Sequence, residues 1–305
     1  MTRLLHNPAA AEILGLALTS PVVVGSGLLT DQERNIRRLL AAGAGAVVTK
    51  TIHPNPAPSG SERLLHLPTG MINSTTYSRR GIDQWCAMLR RFAADRLPVI
   101  ASLHADSPAE LAELAAAVAD TGCRALELGI SCMNEDGGLT DTAERVAAYT
   151  GAVRSVTTLP FSVKLAAGER VRERVDAAVA AGADAITLSD TIAGLAVDPK
   201  TGRVLLGGTF GYSGPGIKPL VLAEIYELRR SGVQVPLMGS GGVQSAPDVA
   251  EYLSVGADAV QVYTALHRNM HDSLAGIREG FDDWLRDHGG TVAALVGRSL
   301  PKGEA

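Results

Sequence analysis

What this 305-residue sequence lacks narrows its class before any motif is considered. It has only three cysteines, Cys86, Cys123 and Cys132, widely spaced and without a CxxC pair. That arrangement excludes a zinc or iron–sulfur site built by this chain alone, so no metal is expected, and it fits a reducing cytoplasm. No apolar run approaches the roughly 20 residues of a membrane span, and Met1 to Pro8 lacks the apolar core of a signal peptide. With 28 basic and 32 acidic residues the net charge is −4, which leaves no basic footprint for nucleic acid. Aromatics are scarce at 4%, so close packing must come from Ala, Gly and branched aliphatic residues. Hydrophobic residues at 46% against 20% charged place the chain among globular proteins rather than disordered ones.

What is present is a repeating alternation of short β-branched runs, glycine-bearing turns and amphipathic helices. The strand candidates are 22–24, 46–49, 99–102, 125–128, 161–165, 185–188, 236–238 and 259–262. Several follow Gly-Ala pairs (Gly45-Ala46, Gly182-Ala183, Gly256-Ala257), where glycine ends a helix and small residues let the next strand tuck beneath it. Thr30 to Glu33 and Ser107 to Glu110 read as capping boxes, a helix is expected from near Thr140, and Ser245 to Asp248 caps another. Eight strands alternating with helices predict an α/β fold, a (β/α)8 barrel in one domain over 1–305. A doubly wound open sheet is the alternative, since strand count alone does not establish closure.

In such a barrel the strand exits form the active face. They comprise Gly25-Ser26-Gly27, Lys50, His104, Gly129 to Asn134, Lys164, Asp190-Thr191, Gly239 to Gly242 and Tyr263-Thr264. Lysine is seldom left buried and unpaired, so Lys50 and Lys164 ending apolar strands point to an anion; each alone is equally a snorkelling or salt-bridged lysine. Glycines after the seventh strand, backbone amides after the eighth and a nearby helix N-terminus make a phosphate cradle. Cys132, on a glycine-hinged loop, read by itself is either a small buried hydrophobe or a reactive thiol. Two stretches, 51–80 and 194–216, exceed what a barrel needs and are expected to form a lid or substrate pocket; Asp198 to Gly202 in the second resembles a hairpin turn.

Val47 to Thr51, Gly70 to Ser74, Ile130-Ser131-Cys132, Val163-Lys164-Leu165, Tyr212 to Pro219, Gly241-Gly242 and Thr264-Ala265-Leu266 resemble, in order, the motifs of the FMN-dependent dihydroorotate dehydrogenases, particularly the soluble class 1 branch. Glu12 to Leu16 resembles that family's N-terminal β-hairpin. The resemblance implies FMN as cofactor, with Gly25, Ser26, Lys50, Lys164, Gly214, Gly241, Gly242, Tyr263 and Thr264 around it. It implies Cys132 as catalytic base beside Lys50 and Lys164, and a homodimer with an electron-transfer partner still open. Asn73 and Asn134 match the family's substrate-binding asparagines. Gly129, Arg79 and Asp190 stand where further asparagines are expected, Met133 where proline follows the cysteine, and Tyr263 where glycine is usual. Asparagine both donates and accepts, whereas Asp accepts and Arg donates only. Each unpaired imide group of a buried dihydroorotate would cost about 1–3 kcal/mol. The expectation is therefore a changed small-molecule substrate held by Asn73, Arg79, Asn134, Asp190 and Thr191, unless Arg79 and Asp190 pair with each other. The alternatives are authentic dihydroorotate oxidation, a silent flavoprotein, and a non-redox phosphate-binding barrel enzyme.

Overall fold

The computed structural model describes residues 7–58, 62–134, 141–288 and 290–301. Eight parallel strands close into a barrel: β3 (Val22–Val24), β4 (Ala46–Val48), β7 (Val99–Leu103), β8 (Leu126–Gly129), β9 (Phe161–Ala166), β10 (Ala185–Asp190), β13 (Leu237–Ser240) and β14 (Ala259–Val262). The ring closes where Val260 to Val262 of β14 register with Val22 to Val24 of β3, so the open-sheet alternative does not hold. An antiparallel hairpin, β1 (Ala11–Ile13) and β2 (Leu16–Leu18), precedes the barrel.

These strands carry long apolar runs because both faces are covered. One side chain in two faces the surrounding helices, and these residues join one large core with Ile36, Trp85, Leu111, Val146, Val175, Ile225, Val249 and Phe281. The other half face inward. At the entry ends of the strands the inward residues are Val23, Ala46, Val48, Ile100, Ala125, Ala185, Met238 and Ala259, clustered with Ile13, Leu16 and Leu18 of the hairpin. The small residues after the Gly-Ala turns thus leave room for the hairpin to plug the barrel floor. Gly45 shows how close that approach is, since a Cβ there would lie 2.0 Å from the Ser20 carbonyl oxygen.

The helices between strands include α1 (Glu33–Ala41), α2 (Ile82–Ala94), α3 (Pro108–Ala119), α4 (Ala143–Arg154), α5 (Val171–Ala180), α6 (Lys218–Arg230), α7 (Ala246–Ser254) and α8 (Met270–Asp287). Ser107 caps α3 by accepting from the Glu110 N–H, and Ser245 with Asp248 makes the capping box of α7. The expected box at Thr30 does not form. The Thr30 hydroxyl is spent on the Gly27 backbone, closing a short 3-10 turn, and α1 starts at Glu33 after Gln32 with no side-chain cap. Thr140 lies outside the described residues; α4 begins three positions beyond it, at Ala143, with Thr142 as N-cap.

The two long stretches are not irregular loops. From the first stretch β5 (Leu64–Leu67) pairs with β6 (Gly70–Asn73); β6 pairs with β12 (Phe210–Ser213) from the second, and β12 with β11 (Ile192–Gly194), giving a four-stranded antiparallel sheet. Asp198 to Gly202 does turn a hairpin, with Val197 bridged to Val204. Among the described residues no helix is long and apolar enough to cross a membrane.

Trp85 ties this framework to the segment after β6, because it is fully buried and its Nε1–H donates to Ser78 Oγ at 2.8 Å. Trp85→Ala is expected to lower unfolding free energy by about 3–5 kcal/mol, as large aromatic truncations in cores do. Urea denaturation measures it; a loss below about 1 kcal/mol would show that the site collapses without a cavity.

Candidate active site

The strand exits and the four-stranded sheet enclose one large cavity of about 1190 Å³, counting its open mouth. Charge enters it from the barrel interior. Glu127 lies in the middle of β8 and is fully buried, a place a carboxylate occupies only when paired. Its Oε2 accepts from Thr187 Oγ1 at 2.9 Å and from Gln261 Nε2 at 2.6 Å. Its Oε1 faces the Lys164 ammonium at 3.5 Å. Lys164 also donates to Gln261 Oε1 at 3.2 Å. Burial presses the Lys164 pKa down, but the Glu127 and Asp190 carboxylates outweigh it and hold the ammonium above the ordinary lysine value.

Lys50, after β4, is 5% exposed and donates to the Thr76 carbonyl. Here burial wins and the pKa is lowered, against the pull of Cys132, Glu62, Asp31 and Asp190. Lys50, Lys164 and half-buried Cys132 all line the cavity. The thiol thus shares a wall with two amines, the electropositive surrounding that favours thiolate.

The two asparagines belong to the same wall and are locked by mutual bonds. Asn134 Nδ2 donates to Asn73 Oδ1 at 3.1 Å and to the Thr75 carbonyl at 2.7 Å, while its Oδ1 accepts the Gly211 N–H at 2.8 Å. Asn73 Nδ2 donates to the Gly211 carbonyl at 3.1 Å. The loop that carries Cys132 is thereby stitched to β6 and β12. Asp190 and Thr191 line the cavity, with Asp190 Oδ1 accepting the Thr191 N–H at 2.7 Å. Arg79 does not join them. It is paired with Glu62 and half exposed, outside the residues that line the cavity, and the Arg79–Asp190 pair is not formed.

At the opposite end Gly241, Gly242 and Thr264 line the cavity, with Ser213 Oγ and Thr264 Oγ1 2.9 Å apart. Gly242 has φ +72°, and a Cβ there would fall 2.8 Å from the Gly214 carbonyl oxygen, so the two glycine turns approach backbone to backbone. Gly214 itself stands behind the wall, as does Gly25, whose N–H donates to Val262; Ser26 is on the wall. The Tyr263 ring covers Gly27, and its hydroxyl accepts the Leu29 N–H at 3.1 Å. Burial pushes its pKa far above the usual tyrosine range, so it remains neutral. Glu127 and Gln261 escaped the sequence reading, although a lone acid inside an apolar strand run was the available signal.

A closed (β/α)8 barrel whose mouth joins two amines, a thiol and paired glycines on one cavity has the architecture of a barrel enzyme. The chain belongs to the dihydroorotate dehydrogenase family, whose model, described as dihydroorotate dehydrogenase, matches residues 9–285. It is 33% identical over 299 residues to the "Dihydroorotate dehydrogenase B (NAD(+)), catalytic subunit" of Pyrococcus abyssi, covering 95% of this chain and 98% of that protein. It is 35% identical over 313 residues to the protein of the same description from Anoxybacillus flavithermus, covering 98% of each. A crystal structure of DHODH in complex with ferulenol from Eimeria tenella superposes with TM-score 0.80 at 20% identity, over 95% of this chain and 88% of that one, which supports the fold. Members of this family are oxidoreductases acting on CH–CH bonds, and so is this chain.

The buried Glu127–Lys164 pair yields a prediction. Glu127→Gln leaves an uncompensated buried ammonium and should cost about 3–5 kcal/mol at neutral pH. In the native protein the raised Lys164 pKa contributes stability that is lost as pH rises through it. In the variant only the Asp190 carboxylate still opposes burial, so the Lys164 pKa should fall and the variant's stability should instead climb as pH rises toward the unfolded lysine value. Urea titrations from pH 7 to 9 decide this; a deficit that does not shrink with pH would contradict the pairing.

Proposed function

We propose that this chain is an FMN-dependent dehydrogenase that oxidises dihydroorotate. The observation that carries the reading is the meeting of Lys50, Lys164, Cys132, Gly241 and Gly242 on one cavity, in a chain so similar from end to end to relatives described as dihydroorotate dehydrogenase B. The residues suit FMN. The glycine end offers backbone without side chains, a Cβ at Gly242 would collide with the Gly214 carbonyl oxygen, and the charged end offers a permanent ammonium. Gly241, Gly242 and Thr264 would hold the phosphate, and Lys164 the electron-rich edge of the ring. Bound FMN supplies the hydride acceptor.

The protein's own part is to bind, orient and move a proton. Cys132, as thiolate, removes a proton from one carbon of the substrate while hydride departs from its neighbour, leaving a C=C bond and a neutral thiol. Lys50 shares the wall with that thiol and stabilises its charged form. Asn73 and Asn134 line the same wall with their side chains fixed by each other and by Gly211, so a substrate that bonds to them would exchange for those contacts. Since the relatives are described as catalytic subunits, a second subunit that carries electrons onward is part of the proposal.

The comparisons favour dihydroorotate over a changed substrate. One feature supports the second reading: Asp190 and Gly129 line the cavity where donor-acceptor amides are expected, so a substrate bearing an amine or hydroxyl would suit Asp190 better. Anaerobic addition of dihydroorotate to the purified holoprotein separates them. Bleaching of a yellow protein that releases FMN is the expected result, with Cys132→Ala slowing it by about 10²–10⁴-fold at unchanged flavin content. A flavin that dihydroorotate leaves oxidised would overturn the substrate, and undiminished bleaching in Cys132→Ala would overturn the base.

A further inference from the structure

Beside the mouth, the exits of β4 and β7 run on together. Ile52 bridges Leu103, and the His104 N–H donates to the Ile52 carbonyl at 3.0 Å, which sets His53 and His104 side by side. Both are buried, at 4% and 2% exposure, and the Tyr77 ring stacks on each, with centroids 4.3 and 4.9 Å away. One ring nitrogen of each histidine and a carboxylate oxygen of Asp106 lie within 4.8 Å of one another. We infer that His53, His104 and Asp106 form a binding site for a divalent first-row transition-metal ion of the Zn²⁺ type.

Three observations support it. His53 Nε2 is buried without a hydrogen-bond partner, and faces Asp106 Oδ1 at 3.4 Å. An orphaned buried ring nitrogen is costly, whereas a shared cation would satisfy both atoms. Ligand atoms each about 2.0–2.2 Å from a tetrahedral ion stand roughly 3.3–3.6 Å apart, so the 3.4 Å between His53 Nε2 and Asp106 Oδ1 is that of adjacent ligands. Both imidazoles, moreover, have an outer partner that orients them. His104 Nδ1 lies 2.8 Å from the Gly129 carbonyl oxygen, which can only accept, so the proton sits on Nδ1. His53 Nδ1 lies 3.0 Å from both the carbonyl oxygen and the N–H of Asn55, so Asn55 accepts from Nδ1 when Nε2 ligates an ion and donates to Nδ1 when Nε2 keeps its proton. A backbone carbonyl behind each ligating imidazole is the usual outer shell of a metal site.

Two imidazoles and one carboxylate suit Zn²⁺ and its first-row neighbours rather than Mg²⁺ or Ca²⁺. Three protein ligands leave one position for water or an exchangeable ligand. Asp106, 61% exposed at its side chain, gives the ion a route in from solvent. His104 and Tyr77 also line the large cavity, so the ion would stand behind that wall. The spacing of the cysteines spoke only to thiolate sites, and this one uses none, so the proposal departs from the expectation of no metal.

The test uses the FMN-loaded protein after chelator treatment and desalting, titrated with ZnCl2 against a chromophoric competitor. The expected result is one Zn²⁺ per chain, with Asp106→Asn and His53→Ala each weakening binding by about 100-fold or more, beyond what loss of an outer partner alone costs. Co²⁺ in place of Zn²⁺ should give visible d–d absorption that Asp106→Asn abolishes. Asp106 is solvent-facing, so its variant keeps the fold and decides the matter if His53→Ala does not. Affinity unchanged in Asp106→Asn, or no Zn²⁺ bound at micromolar concentration, would overturn the site. The readout is metal stoichiometry, so the result is independent of whether dihydroorotate is the substrate.

Discussion

The closure of eight parallel strands into a ring is the constraint from which everything else follows. Each barrel strand then has one face under helices and one inside, and all exits share a rim. The interior must be filled in layers. Here the entry layer is small and apolar and takes the hairpin residues Leu16 and Leu18, whereas the layer above it is polar, with Glu127, Thr187, Lys164 and Gln261 bonded to one another. A carboxylate and an ammonium this deep cannot be solvated from outside. Each is tolerable only because the other is fixed across the barrel, and the outcome is a permanent positive charge presented to the mouth.

Above that floor the rim is braced by long-range pairing. The strands drawn from 64–73 and 192–213 meet in one sheet, and Asn73, Asn134 and Gly211 join that sheet to the loop bearing Cys132. Lys50 is fastened to the same region through the Thr76 carbonyl. Groups from four separate parts of the chain thus hold their positions through backbone and amide bonds, a preorganised wall of the cavity.

Most of the barrel was legible because buried parallel strands write themselves as β-branched runs between glycine turns, and the strand exits then named Lys50, Cys132 and Lys164 without further help. Three things were not legible, each for a physical reason. The sheet formed by 64–73 and 210–213 depends on partners about 140 residues apart, which no local periodicity records. Glu127 looked like an interruption in an apolar run, since its partners lie on β9, β10 and β14 rather than nearby in sequence. Arg79 stands where the family has a binding asparagine, and its pairing with Glu62, seventeen residues earlier, leaves no local pattern from which to read it.

The central claim is that the glycine-lined end of the mouth is a seat for a phosphate, with a flavin ring extending toward Lys164. Titration of the flavin-free protein with FMN and with riboflavin, followed by quenching of flavin fluorescence, tests it most directly. Charge-assisted hydrogen bonds contribute about 1.5–3 kcal/mol each, so FMN should bind at least about tenfold more tightly than riboflavin. Equal affinity for the two would contradict the account, because the phosphate would then have no seat in the barrel.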